Sequence, residues 1–207
     1  MTKVLITGAG SYVGESVKKY ILASQEKVGR NSGEVREPEW EIDSVDTMSD
    51  AWKQTDFSKY DVVYHVAGIA HVNADPKMEP LYYKVNRDLT IEVAKQAKAG
   101  GVKQFIFMSS QIVFHESKSL KSEILTKDTK PNPNGFYGDS KLQAEIGLWY
   151  LVSKDPQPST LNLQPSTLNP QPSTINPQPN LYGTSFLGTF AQIFKIRFKN
   201  ERGVFQS

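Results

Sequence analysis

The chain has 207 residues, a formal net charge of +2, 38% hydrophobic and 22% charged residues, and no cysteine. This length suits one α/β core of about 150 residues and leaves too little for a second full domain. The missing cysteines exclude disulfides, a thiolate nucleophile and cysteine-ligated metals, and no apolar run approaches the ~20 residues that span a bilayer.

Charge is unevenly placed along the chain. Residues 1–155 hold 20 Lys and Arg against 21 Asp and Glu, and the remainder holds 4 against 1. Nucleic-acid-binding proteins normally show a basic stripe, whereas the only local excess here is the tail cluster of Lys195, Arg197, Lys199 and Arg202. We therefore expect neither nucleic acid nor a membrane as partner. The start of the chain has no signal-peptide pattern, so a cytoplasmic location is expected.

The first predicted elements are a strand, a tight turn and a helix. An apolar run from Val4 to Thr7 is followed by glycines, after which apolar residues recur at helical spacing at Val13, Val17, Tyr20 and Ile21. A second strand is predicted over residues 40–45 and a third, ending in small residues, over 61–68. The interval between these two strands has room for one short helix and no further strand.

A longer helix is predicted from about Leu81 to Ala99, ended by Gly100 and Gly101. The next strand runs from Gln104 to Met108 and leads into two serines. Alternating strands and helices favour right-handed crossovers and a parallel sheet covered on both faces. The fold class is therefore α/β, a Rossmann-type doubly wound parallel sheet.

The turn after the first strand has the composition of a phosphate-binding loop. Its candidate cofactor-binding residues are Gly8, Ser11, Tyr12, Val13 and Gly14. Gly8 lets the chain turn, Gly14 allows the helix to pack close to the sheet, and the helix-start amides can face a diphosphate. Ser11 stands where a third glycine is usual. Purely structural glycines are the alternative, but the strand before and the helix after supply the context that cofactor binding requires.

Asp46 follows the second predicted strand. Its carboxylate could accept hydrogen bonds from an adenosine ribose diol, which would favour NAD over NADP without excluding NADP. A surface aspartate that caps a helix explains the residue equally well, since Asp43 and Asp50 lie nearby.

Ser110, Tyr137 and Lys141 form the candidate catalytic set. Tyr137 and Lys141 are four residues apart, and thus on one helix face, and an ammonium group there would favour the phenolate and lower the pKa of the tyrosine. Tyr150 and Lys154 repeat this spacing, as chance allows. The first pair is preferred because it follows a Pro- and Gly-rich loop that opens a helix, and because Ser110 ends a strand, where ligands sit in open α/β sheets.

With these motifs assembled, the chain resembles the extended short-chain dehydrogenases and reductases, specifically the NAD-dependent epimerase/dehydratase family acting on nucleotide sugars. The resemblance covers about residues 1–150. The segments that carry it are Ile6-Thr7-Gly8, His65-Val66-Ala67-Gly68, Asn86, the run from Phe107 to Phe114, and Tyr137-Gly138-Asp139-Ser140-Lys141.

The resemblance implies a role for each matched residue. Tyr137 would transfer the proton, Lys141 would lower its pKa and hold the nicotinamide ribose, and Ser110 would hydrogen-bond the reacting substrate oxygen. Ala67 and Gly68 would line the nicotinamide side of the groove, with Asn86 as a helix residue near the cofactor. No metal is implied, because no pair among the three histidines, His65, His71 and His115, has metal-like spacing with a carboxylate.

After the catalytic helix the sequence becomes repetitive. From Pro156 it reads as three and a half copies of a Pro-Gln-Pro-Ser-Thr-Leu-Asn-like heptad that holds seven of the twelve prolines. Proline blocks helices here, and one apolar residue per unit cannot build a coiled-coil seam or a solenoid, so a disordered or polyproline-like linker is predicted. In the tail, Phe186, Phe190, Phe194 and Phe198 recur at spacing four, which predicts a helix face that docks on the core rather than on a membrane surface.

We therefore expect a Rossmann domain over residues 1–151, a linker over 152–180 and an amphipathic tail over 181–207, so that the fold is truncated or interrupted after the catalytic helix. The expected function is NAD(P)-dependent hydride transfer on a nucleotide sugar. The heptads stand where the family places a further strand and a sugar-binding domain, which leaves open an NAD(P)-binding remnant without turnover, or a related carbonyl reductase. A homodimer through a helix bundle that includes the Tyr137 helix is possible.

Overall fold

The computed structural model describes residues 1–31, 40–70, 75–114, 129–152, 186–187 and 191–197. For residues 26–31, and for the described residues beyond 152, it describes the backbone alone. The chain divides into two compact units. The first takes in Met1–Gly68, Glu92–Met108 and Arg197–Ser207, and the second takes in Ile69–Ile91 and Ser109–Ile196. Within the described part of the chain, no helix is long and apolar enough to cross a membrane.

Four strands run parallel and lie side by side in the order β2-β1-β3-β4. Their bounds are Thr2–Thr7 for β1, Trp40–Val45 for β2, Val62–His65 for β3 and Gln104–Ser110 for β4. The parallel Rossmann-type sheet predicted from the sequence is confirmed. β3 is shorter than predicted because the backbone N–H groups of Val66 and Ala67 both donate to the carbonyl of Thr7, which turns the chain out of the ladder.

The helix α1 (Tyr12–Asn31) packs on one face of this sheet. Val17 and Ile21 contact a buried cluster that includes Ile6 of β1. Close packing depends on Gly14, because a Cβ there would lie 3.2 Å from the Cγ2 atoms of both Ile6 and Val66. The predicted role of this glycine in helix-to-sheet packing is thereby confirmed.

The residues that alternate with this cluster are also buried and cover the other face of the sheet, among them Leu5, Val63, Phe105 and Phe107. His65 is fully buried among them and stacks on the two phenylalanine rings with centroid distances of 5.9 and 6.0 Å. Its Nδ1 is 2.6 Å from the hydroxyl of Thr7 on the neighbouring strand. His65 is therefore a hydrogen-bonded core residue.

Between β2 and β3 the chain makes two short 3-10 turns, Asp50–Gln54 and Phe57–Lys59, and no strand. The side chains of Trp52 and Phe57, one from each turn, are buried and make an edge-to-face contact with 6.4 Å between ring centroids. The short connection expected from the sequence is thus two turns rather than one helix.

The predicted helix over residues 81–99 is present but is not uniform. A 3-10 turn, Pro76–Met78, leads into α2 (Glu79–Tyr82), then a π-helical stretch, Tyr83–Leu89, and then α3 (Thr90–Ala99). The 3-10 turn Gln111–Val113 follows β4, and the next described helix is α4 (Phe136–Val152).

The tail prediction is wrong in its secondary structure. The described tail residues form two strands, β5 (Phe186–Leu187) and β6 (Ala191–Arg197), which pair antiparallel. The sequence Phe194-Lys195-Ile196-Arg197 alternates apolar and charged residues, and this period of two favours a strand over the spacing of four that had suggested a helix. The heptads lie outside the described residues, and the domain bounds stay a prediction.

Candidate active site

The glycine turn of the first unit lies at the carboxyl ends of β1 and β2. Gly8 has a φ of +103°, and a Cβ there would lie 2.8 Å from the backbone nitrogen of Ala67. Only glycine fits this position without moving the backbone. The N–H groups of Gly8 and Ala9 both donate to the carbonyl of Val45, at 2.9 and 3.0 Å. The turn is therefore tied to the end of β2.

The first turn of α1 leaves two backbone donors for a ligand. Ser11 caps the helix, because its hydroxyl accepts from the N–H of Gly14 at 3.1 Å. The N–H groups of Tyr12 and Val13 belong to the first turn, where a helix supplies no acceptor. Such amides carry partial positive charge and can bind a phosphate. Ser11 thus serves the helix start, and Tyr12 and Val13 supply the candidate phosphate-binding amides.

Asp46 follows β2 directly, and its side chain is exposed. Its Oδ1 accepts from the backbone N–H of Met48 at 3.0 Å, as in a short turn, and not from a helix start. The second oxygen carries no hydrogen bond from any residue that the structure describes. A role in binding a ribose remains a prediction.

Ala67 and Gly68 follow β3 at the same edge of the sheet. The N–H of Ala67 donates to Thr7 at 3.1 Å, and Gly68 is exposed. The first unit therefore brings Gly8, Asp46 and Ala67 to the carboxyl edge of its strands, which is where open α/β sheets bind ligands.

In the second unit, Tyr137 and Ser110 meet. Tyr137 lies in the first turn of α4, and its phenol shares a hydrogen bond with the side chain of Ser110 at the end of β4. α4 approaches the turn after β4 closely, since a Cβ at Gly138 would lie 2.7 Å from the carbonyl oxygen of Ile112. The ring of Tyr82 stands edge-on to Tyr137 with a centroid distance of 5.9 Å.

The pKa of Tyr137 is raised above its ordinary value. Burial of the phenol is the largest cause, the hydrogen bond that Ser110 donates to the phenolate opposes it, and Tyr82 adds to the rise. The net lowering expected for this pKa is not found, because desolvation of the phenolate outweighs the favourable contacts. The contribution of Lys141 stays a prediction.

Lys141 is buried, and its charge is coupled to Glu145, one turn further along α4. Burial lowers the pKa of Lys141 to about 8, and the charge of Glu145 opposes this. Burial also raises the pKa of Glu145 to about 7, opposed by a hydrogen bond from Ser109 and by Lys141. Neither Glu145 nor Ser109 was singled out from the sequence, although the spacing of four between two opposite charges on one helix is a visible signal.

Asn86 lies fully buried in the π-helical stretch. Its side chain accepts from the N–H of Ile69 at 2.8 Å and donates to the carbonyl of Ile69 and the hydroxyl of Ser140, both at 3.1 Å. The amide thus fastens the chain at Ile69 to α4. That Asn86 lies near a bound cofactor stays a prediction.

Of the sequence candidates that remain, Tyr150 is the one that the structure describes. Tyr150 packs edge-on to Trp149 with a centroid distance of 5.5 Å, and its lysine partner lies outside the described residues, as do His71 and His115. Among the residues that are described, no three His, Cys, Asp or Glu side chains lie together as a metal site would require.

The parallel sheet with a glycine turn after β1 is a Rossmann-type fold. The sequence profile of the NAD dependent epimerase/dehydratase family matches residues 4–169. The chain belongs to this family.

Curated relatives agree with this assignment. The UDP-glucose 4-epimerase of Vibrio cholerae is 33% identical over 153 residues, an alignment that covers 69% of this chain and 44% of the relative. The mouse UDP-glucose 4-epimerase is 30% identical over 178 residues, covering 70% and 47%. The chain therefore spans less than half the length of these relatives.

Solved structures show the same fold. The UDP-glucuronic acid 4-epimerase from Bacillus cereus in complex with NAD matches with a TM-score of 0.51 at 23% identity, covering 70% of this chain and 51% of that one. The dTDP-4-dehydrorhamnose reductase from Bacillus anthracis in complex with NADP matches with a TM-score of 0.52 at 22% identity, covering 73% and 50%.

Proposed function

We propose that this chain binds NAD or NADP and acts on a nucleotide sugar, with Tyr137 transferring the proton of a substrate hydroxyl. The observation that carries the proposal is the hydrogen bond between Ser110 and Tyr137 at the end of β4. It presents a phenol and a second hydroxyl group together, in a chain of an NAD-dependent family.

The glycine turn fits a dinucleotide. Its backbone leaves no space for a side chain at Gly8, and the amides of Tyr12 and Val13 can donate to phosphate oxygens. When bound, NAD(P) would supply the hydride acceptor and donor. The exposed carboxylate of Asp46 favours NAD, since it would accept from a ribose diol and repel a 2′-phosphate.

Tyr137 is suited to hold and release a proton. Its raised pKa keeps the phenol protonated at neutral pH, so that it can donate to a substrate carbonyl oxygen when the sugar is reduced. The hydrogen bond from Ser110 favours the phenolate, which accepts the hydroxyl proton when the sugar is oxidised. Lys141, whose pKa is about 8, is charged at neutral pH and can donate hydrogen bonds to ribose hydroxyls. Curated relatives that are UDP-glucose 4-epimerases favour a nucleotide sugar as substrate.

A second candidate is cofactor binding without turnover. It is favoured by the Pro-rich heptads that follow α4, at the place where the family resemblance implies a further strand and a sugar-binding domain. Catalysis needs the substrate held in position against the reacting groups, and losing that positioning costs several orders of magnitude in rate.

Calorimetric titration with NAD and NADP tests cofactor binding. We expect the wild-type chain to bind NAD, and Gly8→Ala to weaken binding strongly, because its Cβ would displace the backbone at Ala67. The matched control is Gly135→Ala, where a Cβ has open space around it, and this variant should bind like wild type. Absence of heat from wild type with either dinucleotide at millimolar concentration would refute the proposal.

A further inference from the structure

One face of α4 carries three ionisable residues at successive spacings of four: Tyr137, Lys141 and Glu145. Lys141 is only 5% exposed and Glu145 only 8%. The last two residues of β4 hold the two ends of this row, because Ser110 hydrogen-bonds Tyr137 while the hydroxyl of Ser109 donates to Oε1 of Glu145. The row therefore extends one helical turn beyond the predicted catalytic set.

A buried charge is costly unless it is paired and hydrogen-bonded. Glu145 has both kinds of support, from Lys141 along the helix and from Ser109 across to the strand. For Lys141, Glu145 is the group that favours the charged form against burial. The carboxylate is thus suited to keep the neighbouring ammonium group protonated.

Among the described residues, the other charged and titratable groups near α4 interact with residues other than Glu145. The phenol of Tyr83 donates a hydrogen bond to Asp139, and the charge of Glu79 raises the pKa of Tyr83. Arg87 donates hydrogen bonds to Gln143 and Asp88. The ring of Tyr82 packs against Phe136 and Tyr137. Within the described part of the chain, Ser109 and Lys141 are the residues whose interactions lower the pKa of Glu145 against burial.

We propose that Glu145 is a positioning residue: held by Ser109, its carboxylate keeps Lys141 charged and in place to bind the cofactor. The inference rests on the proposed function, since it assigns Lys141 the task of holding ribose hydroxyls. Glu145 and Ser109 would act on the site through Lys141, without contacting the cofactor or the substrate themselves.

The test is NAD affinity measured by calorimetry from about pH 6 to about pH 9.5. In wild type, affinity should fall on the alkaline side as Lys141 loses its proton near pH 8. Glu145→Gln removes the charge that favours the ammonium form, so the midpoint of this loss should move down by about one pH unit, with about fivefold weaker binding at pH 8. A merely structural role would weaken binding equally at every pH.

Two further variants complete the design. Ser109→Ala leaves both charges in place but removes the hydrogen bond that lowers the pKa of Glu145, so the midpoint should move in the same direction by less. Because this change is small, it carries the test if Glu145→Gln does not fold. Glu92→Gln makes the same chemical change at a half-exposed carboxylate paired with Lys53, and it should leave the midpoint unchanged.

The outcomes separate this inference from the proposed function. If wild type binds no NAD, the proposed function fails and the inference falls with it. If wild type binds and shows no alkaline loss, or if Glu145→Gln and Ser109→Ala keep the wild-type midpoint, then only the role of Glu145 is overturned. A downward shift in both variants and none in Glu92→Gln supports it.

Discussion

The side chains of Ser110 and Tyr137 share a hydrogen bond that joins the end of β4 to the first turn of α4. It opposes the effect of burial, which raises the pKa of the phenol. Ser110 also accepts from the N–H of Ile112 at 3.4 Å, so its hydroxyl is oriented by the turn that follows β4. The serine thus both places the phenol and stabilises its deprotonated form.

Ser110→Ala should raise the pKa of Tyr137 further, because the favourable hydrogen bond is lost while burial remains. The measurement is an NMR titration of protein labelled at the tyrosine Cζ, with the Tyr137 signal assigned by its loss in Tyr137→Phe. Ser24→Ala is the matched control, since that hydroxyl is exposed and donates to the carbonyl of Tyr20 in α1. An unchanged or lower pKa in Ser110→Ala would contradict the account.

Gly14→Ala should destabilise the protein by about 1–3 kcal/mol, the usual cost of overpacking a close contact. The new Cβ would lie 2.8 Å from the Ser11 hydroxyl that caps α1 and 3.2 Å from Ile6 and Val66. Chemical denaturation measures the change. Gly135→Ala meets no atom within 4 Å and should stay within about 0.5 kcal/mol of wild type. Equal stability of the two variants would disprove the packing role of Gly14.

The buried Lys141 and Glu145 pair should produce a minimum in stability between about pH 7 and 8. The pKa of Glu145 rises from 4.5 to about 7, so its stabilisation is present below about pH 4.5 and is lost as pH rises through 7. The pKa of Lys141 falls from 10.5 to about 8, so its stabilisation is present above about pH 10.5 and is lost as pH falls through 8. Each limb has a slope of at most about 1.4 kcal/mol per pH unit.

Denaturant unfolding between about pH 5 and 9.5 measures this profile. A Lys141→Met, Glu145→Leu double variant should flatten the minimum and be as stable as wild type or more so near pH 7.5, because a buried ion pair often stabilises no more than well-packed apolar residues. The exposed pair Lys53 and Glu92, both changed to Ala, should leave the minimum in place. A minimum that persists in the buried double variant would contradict this assignment.

Much of the fold could be predicted because local pattern and tertiary structure agree. The bounds of β2 match the prediction, and α3 ends just before the predicted glycines. The tail was mispredicted because four phenylalanines at spacing four outweighed a shorter alternation of apolar and charged residues around Ile196. The π-helical stretch has no sequence signal that could have been used.

The contact between Ser110 and Tyr137 was predictable from the sequence, but the electrostatics around it were not. Ser110 and Tyr137 meet as their positions after a strand and at a helix start imply. The pKa of Tyr137 moves opposite to the prediction because spacing reveals a neighbouring charge, whereas burial depends on the packed structure. Glu145 was missed for the same reason: a carboxylate on a helix is ordinarily exposed, and only the structure shows it buried beside Lys141.

The most direct test of the central claim is single-turnover reduction of bound NAD by nucleotide sugars, followed by near-ultraviolet absorbance. We expect wild type to reduce NAD, and Tyr137→Phe to do so about 10²–10⁴-fold more slowly while binding NAD as before. Tyr150→Phe, at the other tyrosine placed four residues before a lysine, should match wild type. Equal rates for Tyr137→Phe and wild type, or no reduction by wild type saturated with NAD, would contradict the claim that Tyr137 transfers the proton in this chain.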